Sequence, residues 1–217
     1  MTVEIHRDES LLQSGVPLSM AAGVMIVLHG RGGSAEDILP LGEALGGPQF
    51  AYLAPRAANY TWYPYSFLAP LEQNEPWLSA ALNRVQSIVQ LAIASGLSAD
   101  RIVISGISQG ACLVTEFVAR YPGRYGGLIA FTGGLIGPLD SDLTHVGDLA
   151  NTPVFFGSGD PDPHVPWPRV QQSAEVLKQM GADVALHRYP GMAHSVTAEE
   201  IESARQHVLG LSLQEEQ

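Results

Sequence analysis

The feature that most constrains this chain is a buried-strand pattern that runs through a glycine-flanked serine straight into a helix pattern. Residues 101–105 (RIVIS) have the apolar, β-branched composition of a buried strand, and residues 109–120 have the apolar period of a helix. Between them stands Gly106-Ile107-Ser108-Gln109-Gly110, a G-x-S-x-G pattern in the strand–turn–helix context that gives the pattern its meaning. The backbone of such a sharp turn is strained and closely approached, so we expect glycine to be required at 106 and 110.

Ser108 is therefore the predicted nucleophile of an acyl-transfer site. The turn lifts its hydroxyl above the sheet and puts the Gln109 amide at a helix N-terminus, where unpaired N–H groups and the helix dipole favour an oxyanion. A glycine-rich turn with a chance serine is the alternative interpretation, and the flanking strand and helix weigh against it. A hydroxyl alone is a poor nucleophile, so a base must lie elsewhere in the chain.

Apolar runs alternate with helix-period segments along the rest of the chain. The predicted strands lie at 24–29, 50–54, 101–105, 127–131, 153–156 and 183–189. The predicted helices follow a cap at Ser34, cover 78–92, 109–120 and 168–180, and open last at a capping box of Thr197 and Glu200. This alternation predicts an α/β fold with a mostly parallel central sheet and helices on both faces. We expect a single domain over residues 1–217, with residues 1–22 adding an edge strand or hairpin.

Seven histidines compete for the role of base. His194 is the best candidate, because it follows the last predicted strand and sheet enzymes place catalytic groups in loops at the carboxyl ends of parallel strands. A loop histidine bonded to backbone is the alternative, which the chain order serine, acid, histidine outweighs. His29 is expected to support the glycine turn that follows it, and His164 to line the site. Surface or strand-face positions are expected for the others, which are His6, His145, His187 and His207.

The acid that orients the base is expected after another strand, between Ser108 and His194. Residues 157–166 (GSGDPDPHVP) follow the strand predicted at 153–156 and offer Asp160 and Asp162. The pattern alone does not decide between these two carboxylates, and a proline-rich turn with solvated aspartates is the alternative interpretation. The acid would hold the imidazole in the required tautomer and stabilise the imidazolium formed during attack.

A second glycine-rich turn, residues 30–33 (GRGG), follows the first predicted strand. Such turns often bind phosphate, but neither the G-x-G-x-x-G nor the G-x-x-x-x-G-K-[ST] pattern is present there. A backbone N–H aimed at a tetrahedral intermediate is the better use of this turn.

Composition restricts the partners of the chain. A formal net charge of −11 repels nucleic-acid phosphates and anionic lipid, so we expect no nucleic-acid partner and no stable membrane insertion. Cys112 is the only cysteine, which excludes an intrachain disulfide and a thiolate zinc cluster; no metal or cofactor is expected. The first residues lack the pattern of a signal peptide, so a cytoplasmic location is expected. The expected partner is a small-molecule ester, and a homodimer is left open.

Together these segments resemble the phospholipase/carboxylesterase family of α/β-hydrolases, which includes acyl-protein thioesterases and small bacterial carboxylesterases. The matching segments are LHGRGG at 28–33, GISQG at 106–110, GDPDPHVP at 159–166 and GMAHS at 191–195, and the resemblance spans about residues 24–207. It implies Ser108 as nucleophile, Asp162 as acid and His194 as base. It also implies oxyanion-hole amides on Arg31 and Gln109. Many relatives have leucine in place of Arg31, a change that keeps the amide but puts a guanidinium near the mouth of the site.

We predict a serine carboxylesterase that hydrolyses short- to medium-chain carboxylic esters through an acyl-enzyme on Ser108. An acyl-thioesterase or lysophospholipase with the same triad is left open, because the chemistry at the carbonyl is shared. A binding module on a hydrolase scaffold is less favoured, since every residue type of the triad is present. Residues 56–76 are expected to form an acyl-pocket wall or flap, with a local hydrophobic mini-core as an equal alternative. The aromatic residues assigned to this wall are Trp62, Tyr63, Tyr65 and Phe67.

Overall fold

The centre of the molecule is one seven-stranded sheet, seen in a computed structural model that describes residues 5–210. Its strands are β1 Leu11–Gly15, β2 Gly23–Leu28, β3 Phe50–Pro55, β4 Ile102–Ile107, β5 Gly127–Phe131, β6 Pro153–Asp160 and β7 Asp183–Pro190. Their order across the sheet is β1-β3-β2-β4-β5-β6-β7. The antiparallel pair is β1 with β3, and the other neighbouring strands pair in parallel. The predicted α/β class is confirmed, and β1 is the edge strand expected within residues 1–22, of which residues 1–4 lie outside the described part.

Helices cover both faces of this sheet. They are α1 Ala35–Leu45, α2 Leu71–Asn74, α3 Trp77–Ala94, α4 Gln109–Arg120, α5 Trp167–Gln179 and α6 Ala198–Leu209. Successive strand side chains point to opposite faces. Met25 and Val27 therefore pack in the apolar layer with α1 and α6, whereas Val24 and Ile26 pack in the larger layer with α3, α4 and α5. None of the helices in the described residues is both long enough and apolar enough to cross a lipid bilayer.

Local sequence signals explain where two of these helices begin. The Ser34 side chain accepts the Asp37 amide while the Asp37 carboxylate accepts the Ser34 amide, which starts α1. Thr197 and Glu200 form the same reciprocal pair at the start of α6, which confirms the predicted capping box. Each pair satisfies amides that would otherwise be unpaired at the helix N-terminus.

Strand β6 extends furthest beyond its predicted end. The expected strand at 153–156 continues as β6 to Asp160, because Gly157, Ser158 and Gly159 extend the parallel pairing with β7. Their small, polar side chains have low strand propensity, and the pairing partner rather than their own composition fixes their conformation. The extension carries the following loop further beyond the sheet, to the edge where the loops after β2, β4 and β7 also lie.

Candidate active site

Ser108 stands alone between β4 and α4, in a backbone conformation that is rare for a side-chain-bearing residue. Its φ of 54° and ψ of −119° lie outside the regions that L-residues populate freely. The turn is fixed on both sides, since the Ser108 amide donates to the Phe131 carbonyl at 2.9 Å and the Ser108 carbonyl accepts the Cys112 amide at 2.9 Å. Strain of this kind persists where the surrounding contacts over-determine it, which is typical of functional sites.

The glycines that flank this turn are required by close backbone approach, as the sequence predicted. A Cβ added at Gly106 would lie 2.6 Å from the carbonyl carbon of Gly110. One added at Gly110 would lie 2.3 Å from the Leu28 carbonyl oxygen, at the end of β2. The turn at residues 106–110, which we call the elbow, is therefore in close backbone contact with the glycine turn after β2.

The structure brings Ser108, His194 and Asp162 into one hydrogen-bonded chain. His194 Nε2 lies 2.9 Å from Ser108 Oγ, and His194 Nδ1 lies 2.7 Å from Asp162 Oδ2. The other Asp162 oxygen accepts the amides of His164 at 2.8 Å and Val165 at 2.9 Å. The acceptor role of Asp162 makes Nδ1 the protonated nitrogen of the imidazole and leaves Nε2 free to accept the serine proton.

The electrostatics of Asp162 favour its charged form. Burial of this carboxylate works against ionisation, but the hydrogen bonds from His194 and from the Val165 and His164 amides outweigh it. The net effect holds the Asp162 pKa below its usual range, so this group is a carboxylate at neutral pH.

Asp160, the other candidate carboxylate, lies outside the triad and forms an ion pair with Arg188 on β7. The loop amides are accepted by Asp162 instead. Asp160 is the last residue of β6, which sets its carboxylate beside the neighbouring strand. Its carbonyl accepts the Gly191 amide at 2.9 Å and so helps to shape the loop that carries His194.

The glycine turn after β2 holds the segment at residues 60–65 through several bonds. The Gly32 amide donates to the Tyr60 carbonyl at 2.8 Å. The Arg31 guanidinium donates to the carbonyls of Pro64 at 2.8 Å and Tyr65 at 2.6 Å. These bonds fasten the aromatic segment directly to the turn that was predicted to supply an oxyanion-hole amide.

The Gln109 side chain fastens the same segment from the other side. Its Oε1 accepts the Trp62 amide at 2.9 Å, and its Nε2 donates to the Tyr63 carbonyl at 2.8 Å. The sequence assigned Gln109 a role through its backbone amide alone. No local pattern could have revealed these contacts, because they join positions nearly fifty residues apart. The segment is thus hydrogen-bonded to both turns of the site.

Trp62 corrects one of the sequence predictions, because it does not line the cavity beside Ser108. Its side chain is fully buried, its Nε1 donates to the His29 carbonyl at 2.9 Å, and its ring lies 5.0 Å from that of His29. His29 supports the glycine turn as predicted, with Nδ1 donating to the Gly30 carbonyl at 2.7 Å and Nε2 accepting the Ala57 amide at 3.1 Å. Trp62 therefore belongs to a mini-core behind the site.

His6 also departs from the prediction, since it is buried rather than on the surface. Its ring packs 5.5 Å from those of Trp62 and Trp77. Its Nε2 donates to the Trp62 carbonyl at 3.0 Å and its Nδ1 accepts the Ala58 amide at 3.1 Å. The polar residues around it in the sequence, EIHRDES, hid this burial.

Of the remaining histidines, His145, His187 and His207 lie away from Ser108, and His164 lies at the edge of the site. His187 is exposed on β7 as expected, and His207 is half-buried on α6. His145 is half-buried rather than on the surface, 3.8 Å from the buried Glu116 carboxylate. His164 lies beside His194, with ring centroids 4.8 Å apart in an edge-to-face arrangement.

A cavity of about 440 Å³ opens beside Ser108 and His194. Its floor is buried and mainly apolar, whereas its rim is exposed and polar. The floor residues are Tyr63, Phe67, Cys112 and Val165, and the rim residues include Arg31, Tyr65, Ser66 and His164. Burial raises the pKa of Cys112 to about 12, so this sulfur stays a thiol and is not a competing nucleophile. The described residues contain no cluster of three or more potential metal ligands.

Comparison with known proteins agrees with the fold. The phospholipase/carboxylesterase family model matches residues 16–211. A crystal structure of a phospholipase/carboxylesterase from Dyadobacter fermentans DSM 18053 is 44% identical, covers 96% of this chain and 100% of that one, and superposes with a TM-score of 0.90. A probable carboxylesterase SOBER1-like protein of Arabidopsis thaliana is 29% identical over 203 residues, which are 85% of this chain and 77% of that protein. Acyl-protein thioesterase 1 of Kluyveromyces lactis is 30% identical over 206 residues, or 84% and 89% of the two chains. The chain therefore belongs to the phospholipase/carboxylesterase family of α/β-hydrolases.

Proposed function

We propose that this protein is a serine carboxylesterase that hydrolyses short- to medium-chain carboxylic esters with Ser108, His194 and Asp162 as its catalytic triad. The observation that carries the proposal is the unbroken hydrogen-bond chain from Ser108 Oγ through His194 to Asp162. Ser108 and His194 both line the cavity. Membership of a family of phospholipases and carboxylesterases supports the same reaction class.

Ester cleavage in this proposal follows from the two distances to His194. The Ser108 oxygen attacks the ester carbonyl while its proton passes to Nε2, 2.9 Å away. The imidazolium that forms is stabilised by the Asp162 carboxylate, 2.7 Å from Nδ1, and then gives its proton to the leaving alcohol. A water molecule, deprotonated in turn by Nε2, attacks the acyl-enzyme, releases the acid and restores the Ser108 hydroxyl.

The amides of Arg31 and Gln109 form the oxyanion hole in this proposal. Gln109 is the first residue of α4, so its N–H has no carbonyl acceptor one turn earlier in the helix. The Gly32 and Gly33 amides donate to carbonyls, whereas among the described residues the Arg31 amide donates to none. Two unpaired N–H groups beside the nucleophile would stabilise the negative charge of the tetrahedral intermediate.

The acyl group is assigned to the buried floor of the cavity. Tyr63, Phe67 and Val165 give this floor its apolar character, and a volume of about 440 Å³ suits a short or medium acyl chain. Thioester hydrolysis is the second candidate, supported by similarity to the acyl-protein thioesterase of Kluyveromyces lactis. The single-domain organisation and the cytoplasmic location stay predictions from the sequence, which leaves a homodimer open.

A series of 4-nitrophenyl esters tests the proposed substrate range. We expect kcat/KM to be highest for butyrate to octanoate and to fall at palmitate, because the longer chain exceeds the floor. Thioesters of the same acyl lengths test the second candidate, because their kcat/KM values can be compared directly with those of the esters. A steady rise in kcat/KM toward palmitate, with activation by lipid vesicles, would contradict the proposed acyl range.

A further inference from the structure

The rim of the cavity carries an unusual charge for so acidic a protein. Of the described residues that line the cavity, Arg31 alone has a permanent charge, and no aspartate or glutamate is among them. The chain as a whole carries a formal net charge of −11. A cationic site in an acidic surface creates a local field that favours anions at this position.

The Arg31 guanidinium is held in place, although its side chain is exposed. Its two terminal nitrogens donate to the carbonyls of Pro64 and Tyr65, and its central carbon lies 6.0 Å from the centre of the Tyr63 ring. These contacts leave further N–H groups of the guanidinium available to a ligand. A cation that is already fixed loses less conformational entropy when it binds an anion.

Among the residues that the structure describes, no carboxylate pairs with this charge. Within residues 5–210, no aspartate or glutamate oxygen lies within 4.0 Å of the Arg31 guanidinium nitrogens. The acidic residues nearest in sequence are engaged elsewhere, Glu36 with Arg56 and Asp37 with the cap of α1. The carbonyl acceptors that hold Arg31 are neutral, so its full charge remains at the rim.

We propose that Arg31 makes the site selective for esters whose alcohol portion carries an anionic group, a carboxylate or a phosphate. The inference rests on the proposed function, in which the acyl chain occupies the buried floor. The alcohol portion then lies at the exposed rim beside Arg31 and His164. The planar guanidinium matches the geometry of carboxylate and phosphate oxygens, which makes Arg31 a specificity-determining residue.

Matched butyrate esters test this selectivity. The butyrates of 4-hydroxybenzoate and of 4-hydroxyphenyl phosphate carry the two anions, and the butyrate of 4-hydroxybenzamide is the neutral comparison. We expect kcat/KM to be about three- to tenfold higher for at least one anionic ester, mainly through KM, because the ion pair is partly exposed. The preference should decrease as ionic strength rises.

Three substitutions test whether Arg31 is the source of the anionic preference. Arg31→Gln should reduce the ratio of kcat/KM for the anionic ester to kcat/KM for the neutral ester to about one. Arg31→Lys should keep part of this preference. Arg101→Gln removes the same charge at the opposite end of β4, where Arg101 bonds the Ala22 carbonyl, and should leave the ratio unchanged.

The outcomes distinguish a failure of the inference about Arg31 from a failure of the proposed function. Hydrolysis of the neutral ester with no anionic preference, or a preference that Arg31→Gln leaves intact, would overturn the role of Arg31 alone. Failure to hydrolyse any of the esters would overturn both. The relative rates of the carboxylate and phosphate esters show which anion the site prefers.

Discussion

Replacing Asp162 with asparagine should leave the fold intact and inactivate the enzyme, because the structure fixes which way the new amide faces. One Asp162 oxygen accepts the amides of His164 and Val165, and the other faces His194 Nδ1. In Asp162→Asn the two backbone donors require the amide oxygen, so the NH₂ group turns toward Nδ1. The imidazole must then carry its proton on Nε2 and can no longer accept the proton of Ser108.

The expected loss follows from this tautomer. We expect kcat to fall about 10⁴-fold, equivalent to about 5.5 kcal/mol of transition-state stabilisation. Asp160→Asn is the matched control, because it makes the same chemical change two positions earlier. It removes an ion pair with the half-exposed Arg188, and should change stability by about 1 kcal/mol at most and kcat by less than about fivefold.

The assay is steady-state hydrolysis of 4-nitrophenyl butyrate by both variants, with circular dichroism and thermal unfolding to verify that each is folded. Mass spectrometry verifies that the asparagine has not reverted to aspartate during preparation. If Asp162→Asn kept more than about a tenth of wild-type kcat, or if Asp160→Asn were the more damaging change, the assignment of Asp162 as the acid would be wrong.

Two further predictions concern stability. Gln109→Ala should lower the free energy of unfolding by about 2–4 kcal/mol in urea titrations, because it leaves the buried Trp62 amide and Tyr63 carbonyl without partners. A loss below about 1 kcal/mol for Gln109→Ala would contradict the anchoring of the segment. Burial lowers the pKa of His6 and His29 below 6.5, so as pH falls through that value the unfolded chain takes up protons before the folded one. The hydrogen bond to Glu116 raises the pKa of His145 and acts in the opposite direction, so the test uses a His145→Gln variant. Its free energy of unfolding should fall as pH drops from about 6.5 toward 5, and urea titrations that gave a constant value across this range would contradict the neutral, buried state of the His6 and His29 rings.

The parts of the fold set by neighbouring residues were predictable from the sequence. The elbow around Ser108 is specified by the strand and helix that adjoin it, and the capping box at Thr197 by residues one helical turn apart. The α/β class follows from the alternation of such local patterns. These signals depend on interactions within a few residues, so one sequence is enough to read them.

The parts that depend on contacts between distant segments were not predictable. Gln109 holds backbone atoms of Trp62 and Tyr63, and His6 is buried against Trp62, through contacts that no local pattern encodes. An aromatic side chain suits a cavity wall and a mini-core equally well, so the tertiary packing alone decided the position of Trp62. The same division holds within the site. Its turns are set by neighbouring residues and were predictable, whereas the contacts that support them join distant segments and were not.

The central claim is that Ser108 is an activated nucleophile, and covalent labelling with a fluorophosphonate tests it most directly. Intact-mass spectrometry of the folded wild-type protein should show one adduct per chain, and peptide mapping should place it on Ser108, because His194 Nε2 lies 2.9 Å from its hydroxyl. The folded Ser108→Ala variant should stay unlabelled. Folded wild-type protein that takes up no probe, or an adduct that persists in Ser108→Ala, would contradict the account.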